Sequence, residues 1–268
     1  MAGCQRSGTT LTGQILGAHP KAFLIDEFEG VYKFLDYYLD RQAFDTLSMN
    51  EIVNVSSKKY TDIRANFSKF SDIQSSIIVA KAPNITYEIT DLLKRANNIK
   101  VVYPVRNPRS VVASMLKLKH IPMVENQTKR ALKSKPLFTE FSRQIEKLES
   151  EKTSKLIKAA IIWNIKTSIY KAYQEGDLDT FVFKYEDLIV DFKATLELLT
   201  KHCGLEYDPA SENYFEYLKG EGPGDTLRDR KIDPSSLDKW KTQLSEAQIS
   251  ELDFMTKRLS EQLGYSNI

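Results

Sequence analysis

Residues 3–10 read Gly3-Cys4-Gln5-Arg6-Ser7-Gly8-Thr9-Thr10. The glycines have the spacing of a phosphate-binding loop, G-x-x-x-x-G followed by Lys and Ser/Thr, with Thr9 at the lysine position and Thr10 at the hydroxyl position. Residues 11–18 read as the helix this loop feeds. Backbone N–H groups at such a helix start can wrap an anion, and the helix dipole favours negative charge there. A nucleoside triphosphatase uses the missing lysine to reach the β- and γ-phosphates; the only cation in this loop is Arg6, placed earlier. Taken alone, the segment is also compatible with a Gly/Ser/Thr turn that merely caps a helix. A second segment, Val101-Val102-Tyr103-Pro104-Val105-Arg106-Asn107-Pro108, is a buried-strand pattern that ends in arginine. P-loop enzymes end the corresponding strand in an acid that holds Mg²⁺. An arginine there contacts an anion directly and offers no metal ligand, although it could also pair with a carboxylate. Ser114 follows roughly two helical turns later. Two anion-binding features without a metal acid point to a nucleotide carrying two separated phosphate groups.

Elements able to position such loops are visible around them. The apolar runs 76–80, 99–105 and 180–184 read as buried strands, because parallel strands covered on both faces are almost continuously apolar. Helical periodicity follows each, over 86–96, 108–119 and 192–203, with a long helical stretch over 139–174 and a final one over 246–263. This alternation predicts an α/β fold with a central parallel sheet flanked by helices. Segments 120–136 and 220–234 read as loops or lids; the second carries three glycines and several cations. No composition break or repeat divides the chain, so residues 1–268 are expected to form one domain.

The composition narrows the function classes. The chain has 268 residues, with 38 Lys+Arg against 36 Asp+Glu and a net charge of +2, which does not suggest a general nucleic-acid binder. It has only 2 Cys, Cys4 and Cys203, so no disulfide framework is readable and a reducing compartment is the simpler inference. No apolar run approaches the roughly 18 residues of a membrane span, and no leader pattern opens the chain, so a cytoplasmic location is expected. The 3 His and 2 Cys show no metal-ligand spacing. N-x-[ST] sequons at Asn54, Asn66, Asn84 and Asn126 read as chance occurrences in an Asn/Ser-rich chain.

Taken together, the segments resemble the sulfotransferases that use 3′-phosphoadenosine-5′-phosphosulfate (PAPS). Residues Gln5 to Leu11 look like that family's 5′-phosphosulfate loop, and Val105 to Met115 its 3′-phosphate motif. Lys184-Tyr185-Glu186-Asp187-Leu188 is similar to its K/R-Y-E-D-L segment, and Leu263-Gly264-Tyr265 to a common ending. The resemblance implies a P-loop-like sulfotransferase fold, PAPS as donor and PAP as product. It implies that Arg6, Ser7, Gly8, Thr9 and Thr10 hold the 5′-phosphosulfate, that Arg106 and Ser114 hold the 3′-phosphate, and that Tyr185 lies against the adenine. The basic loop would close over the nucleotide, with Lys231 and Arg230 weighted above Arg228; a solvated charge run is the alternative there. Relatives carry a full apolar strand before the loop, whereas Met1 to Cys4 stand here, so the first strand is expected to be very short or trimmed.

Sulfuryl transfer needs a base for the acceptor proton and cations on the developing charge. Ala80-Lys81-Ala82-Pro83 resembles the family's Lys-x-Pro element, which implies that Lys81 stabilises the leaving phosphate, with Arg6 assisting. Ala18-His19-Pro20 followed by Glu27 is similar to the tyrosylprotein-sulfotransferase arrangement, which makes Glu27 the base. His120 is the reserve base, His19 reads as a helix-end residue and His202 as a surface residue. The acids Asp26, Glu27 and Glu29 would favour a cationic acceptor over an anionic polysaccharide, if they are not simply a solvated acidic loop. The expected reaction is therefore metal-free transfer to a hydroxyl or amine of a small molecule, such as a metabolite or natural product, with neither nucleic acid nor membrane as partner. The alternatives are a protein-tyrosine or carbohydrate acceptor, a P-loop nucleotide kinase, and a non-catalytic nucleotide-binding module. The oligomeric state is not legible.

Overall fold

A computed structural model describes residues 1–26, 77–94, 99–134, 139–217, 221–222 and 226–265. Helix α1 (Thr9–Gly17) leads into strand β1 (Ala22–Asp26), which pairs in parallel with β2 (Ile77–Lys81). Strand β3 (Lys100–Val105) is followed by α2 (Pro108–Lys117), α3 (Met123–Lys133) and α4 (Lys155–Ser168). Strand β4 (Asp179–Lys184) pairs in parallel with β3 and is followed by α5 (Phe192–His202). Helix α6 (Glu246–Gln262) closes the described chain, opened by a capping box on Ser245 and Gln248. This is the expected α/β architecture. Strand β1 is an addition to the expected strands, built on Ala22-Phe23-Leu24-Ile25, a short apolar run of the same kind as the others.

The two parallel pairs are joined by the first residues of the chain. The amino group of Met1 donates to the Ala80 carbonyl (2.6 Å), and the Met1 carbonyl accepts from Ala82 N (3.3 Å). On the other side Ala2 N donates to the Val102 carbonyl (3.2 Å). The next ladder bond from β3 would come from Pro104, which has no N–H. Met1 and Ala2 thus bond to β2 on one side and β3 on the other, just before the glycine-rich loop.

Side chains of a strand alternate between its two faces, and β3 shows both being covered. Val101, Tyr103 and Val105 pack with α2, α4 and α6 in one apolar cluster, while Val102 packs with α1, Leu24, Val79 and Phe183 in the other. Helix α4 is the centre of the first layer, with Trp163, Ile161, Ile162 and Ile165 wholly buried. Ser154 opens it, its Oγ accepting from Ile157 N. This cap is one reason the stretch 139–174 is not a continuous helix: it divides into Ser142–Glu149, α4 and Tyr170–Glu175.

Two segments read as loops contain regular structure. Segment 120–136 holds α3, whose buried residues Val124, Gln127, Thr128 and Ala131 have the i, i+3, i+4, i+7 spacing of a helix face. Two of the four are polar, which hid the stripe from an apolar-periodicity reading. Segment 220–234 contains a short antiparallel pairing, Glu221–Gly222 with Thr226–Leu227. Among the described residues, no helix is long and apolar enough to cross a membrane.

Candidate active site

The glycine-rich loop runs from Met1 and Ala2, between β2 and β3, into α1. Gly8, at φ 92°, supplies the left-handed residue that starts the helix, and no side chain caps it. A helix start without a side-chain cap leaves backbone donors for an external anion. Arg6 also has positive φ (69°), an uncommon conformation for a residue with a side chain and one that marks functional loops. A Cβ on Gly8 would lie 2.2 Å from the Tyr185 ring, so the backbone approaches that ring as closely as glycine allows. Within the loop, burial pushes the Cys4 thiol up to about 12, which keeps it an unreactive neutral thiol.

The side chains of the loop reach two other segments. Arg6 Nε donates to Ser114 Oγ on α2 (2.8 Å). Arg106, at the end of β3, donates from one terminal nitrogen to the Arg6 carbonyl (3.1 Å) and from the other to the Ser236 carbonyl (2.9 Å). Its guanidinium lies 4.1 Å from the centroid of the Tyr185 ring, within cation–π range. The Tyr185 hydroxyl is 3.3 Å from Ser236 Oγ. Arg6, Arg106, Ser114 and Tyr185 thus form one cluster. On the opposite side of the loop, Lys81 Nζ donates to Thr10 Oγ1 (3.2 Å). Lys81 is wholly buried and forms an ion pair with Asp26 (2.7 Å). The Asp26 carboxylate also pairs with Arg228, which is likewise buried.

A family model described as the sulfotransferase family matches residues 1–209. The chain belongs to the sulfotransferase family. Two solved structures share its fold: a sulfotransferase domain from the curacin biosynthetic pathway and one from the Synechococcus PCC 7002 olefin synthase. The first has 18% identity and a TM-score of 0.60, covering 97% of this chain and 95% of that one. The second has 19% identity and a TM-score of 0.60, covering 98% and 93%. No curated protein sequence matches the chain.

Other residues singled out in the sulfotransferase sequence fall in different places. Thr9 and Ser7 are buried within the loop. Glu27 and Glu29 lie outside the described residues. Asp26 is buried, and both of its oxygens are engaged by buried cations, so it is not part of a solvated acidic loop. Of the basic segment, Arg228 is the buried residue, whereas Arg230 and Lys231 are exposed. Lys231 Nζ lies 4.9 Å from the Phe215 ring centroid, and the Arg230 carbonyl accepts from Tyr214. His120 is exposed in the turn after α2. His19 is buried, with Nδ1 accepting from Lys21 N (3.0 Å) and Nε2 facing the Glu206 carbonyl (3.0 Å), the bonding of a helix-end residue. His202 is not a surface residue. Its ring stacks on Phe181 and Nε2 meets the Val101 carbonyl (3.2 Å).

The pairing of Asp26 with Lys81 and Arg228 could not be read from spacing, because the three residues come from separate parts of the chain. A partial signal existed for the first pair, since an acid and a lysine each end a short apolar run that reads as a parallel strand.

Proposed function

We propose that the protein transfers a sulfuryl group from PAPS to a hydroxyl or amine of a small-molecule acceptor, without a metal ion, in the cytoplasm. The observation that carries this reading is the convergence on one loop: Arg6 bonds Ser114 of the arginine-ended strand motif while Thr10 bonds Lys81. The uncapped helix start and the close Gly8–Tyr185 approach suit a nucleotide's phosphate and base. The loop 6–10 would take the 5′-phosphosulfate, Arg106 and Ser114 the 3′-phosphate, and Tyr185 the adenine. Arg228 is a better candidate than Arg230 or Lys231 for the buried cation contributed by the basic segment.

In this reaction the acceptor atom attacks sulfur in line with the bridging oxygen of the phosphosulfate. The sulfur–oxygen bond to phosphate breaks, and PAP leaves with the charge it gains. Lys81 and Arg6 neutralise that charge, and Glu27 takes the acceptor proton. Fixed cations aimed at developing charge are usually the largest single contribution to such a rate. The origins of the two structural neighbours, a biosynthetic pathway and an olefin synthase, support a natural-product acceptor.

The test pairs binding with turnover. PAP should raise the melting temperature equally with and without Mg²⁺, and more than 5′-AMP does, since a ligand bound only to the folded state stabilises it. Sulfate transfer from PAPS should then appear in a panel of phenols, alcohols, amines and guanidinium compounds. Stabilisation by ATP with Mg²⁺ and none by PAP would overturn the reading.

A further inference from the structure

Lys166 places an ammonium group in the middle of the core, wholly buried on α4. A charge so placed is costly unless it is well hydrogen-bonded. Its Nζ donates to Gln5 Oε1 (2.6 Å), to the Pro83 carbonyl (2.8 Å) and to Gln127 Oε1 (3.4 Å), and lies 4.7 Å from the Tyr87 ring centroid. Asn84 Oδ1 accepts from both Gln5 Nε2 (2.6 Å) and Gln127 Nε2 (3.1 Å). Lys166, Gln5, Asn84 and Gln127 therefore form a closed ring of hydrogen bonds.

The positions of these partners give the ring its meaning. Gln5 directly precedes Arg6 in the glycine-rich loop, and Pro83 follows Lys81 by two residues. One ammonium thus binds the loop on one side and the segment leaving the end of β2 on the other. The same helix also fixes the third segment, because Trp163 Nε1 donates to the Arg106 carbonyl (2.9 Å). A neutral side chain at residue 166 could not donate to all three acceptors at once, whereas a lysine has three protons to give.

We infer that Lys166 is a positioning residue for the donor site: its ammonium sets the separation between the loop carrying Arg6 and the strand end carrying Lys81. This rests on the donor reading proposed above. Lys166 is wholly buried and acts through Gln5 and Pro83.

The experiment is a double-mutant cycle read in PAP affinity by calorimetry, with Lys166→Met, Gln5→Leu and the double variant. Ile161→Ala, a wholly buried position on the same helix outside the ring, serves as the destabilised control. Lys166→Met is expected to weaken PAP binding about tenfold, the worth of a charge-assisted hydrogen bond. Gln5→Leu should do the same, and the double variant should be no weaker than the worse single one, because both break the same link. Ile161→Ala should bind PAP nearly as the wild type does. If Lys166→Met binds PAP no worse than Ile161→Ala, or if the two single losses multiply in the double variant, the inference is overturned. Should Lys166→Met not fold, Gln127→Leu carries the test, since it touches the loop only through the ring; unchanged PAP affinity there overturns the inference as well. Wild-type protein that fails to bind PAP would overturn the donor reading and this inference together, whereas tight wild-type binding with an unaffected Lys166→Met removes this inference alone.

Discussion

Asp26 and Lys81 are register partners on neighbouring parallel strands, and their side chains meet at 2.7 Å with exposures of only 4% and 0%. The pair ends β1 and β2 at the same level, which delivers the ammonium to Thr10 at the start of α1. Removing one member of such a buried pair leaves the other uncompensated, at a cost of about 3–5 kcal/mol. Asp26→Asn should therefore lower the melting temperature markedly. Lys239→Ala, which breaks a pair exposed by 54% on each side, should scarcely move it. Thermal melts of the two variants check this, and similar melting temperatures would contradict it.

Lys81→Met should reduce turnover by about 10²–10³, the usual effect of removing one donor aimed at developing charge. PAP affinity should fall far less. Steady-state transfer rates and calorimetric PAP binding separate the two effects; unchanged turnover would remove Lys81 from the chemistry.

Glu27→Gln should lower transfer by about 10²–10⁴, the range of a general base, and leave PAP binding intact. His120→Ala should keep near-normal transfer, because His120 is exposed in the turn after α2. The opposite pattern in a rate assay would shift the base to His120.

Gly8→Ala should damage both stability and donor binding. The residue sits at φ 92°, and its Cβ would lie 2.2 Å from the Tyr185 ring that Arg106 stacks on. The backbone strain alone is worth about 1–3 kcal/mol, and moving the ring would displace Arg106. Melting temperature and PAP affinity should fall together.

His202 makes stability sensitive to acid. Burial lowers the pKa of its imidazole, opposed by the nearby Asp179 carboxylate. A histidine with a lowered folded-state pKa binds its proton more readily when unfolded, so the stability it contributes is full above about pH 6.5 and is lost as pH falls through the lowered value. The wild-type melting temperature should drop over that window. His202→Gln should flatten the drop, as melts across the pH series would show.

The sequence by itself determined the α/β class, the β2, β3 and β4 strands, and the glycine-rich and arginine-ended segments that carry the family resemblance. These follow from local rules: apolar runs bounded by turn residues, glycines at fixed offsets, and an arginine where a metal acid would stand. It also placed Arg6, Thr10, Lys81, Arg106, Ser114 and Tyr185 in segments that do meet. Tertiary structure alone decided which cations are buried and what they touch. Arg228 rather than Arg230 or Lys231 reaches Asp26, and the Asp26 acid is held between two buried cations. Helix α3 escaped the sequence reading because half of its buried face is polar, and Gln127 becomes a core residue only through its bonds to Asn84 and Lys166. Lys166 gives the same lesson: a lysine in an apolar helix shows its partners only when chain positions 161 residues apart, Gln5 and Lys166, are brought within a hydrogen bond of each other. Hydrogen bonds and ion pairs act over a few ångströms, and only the folded chain sets which residues lie that close.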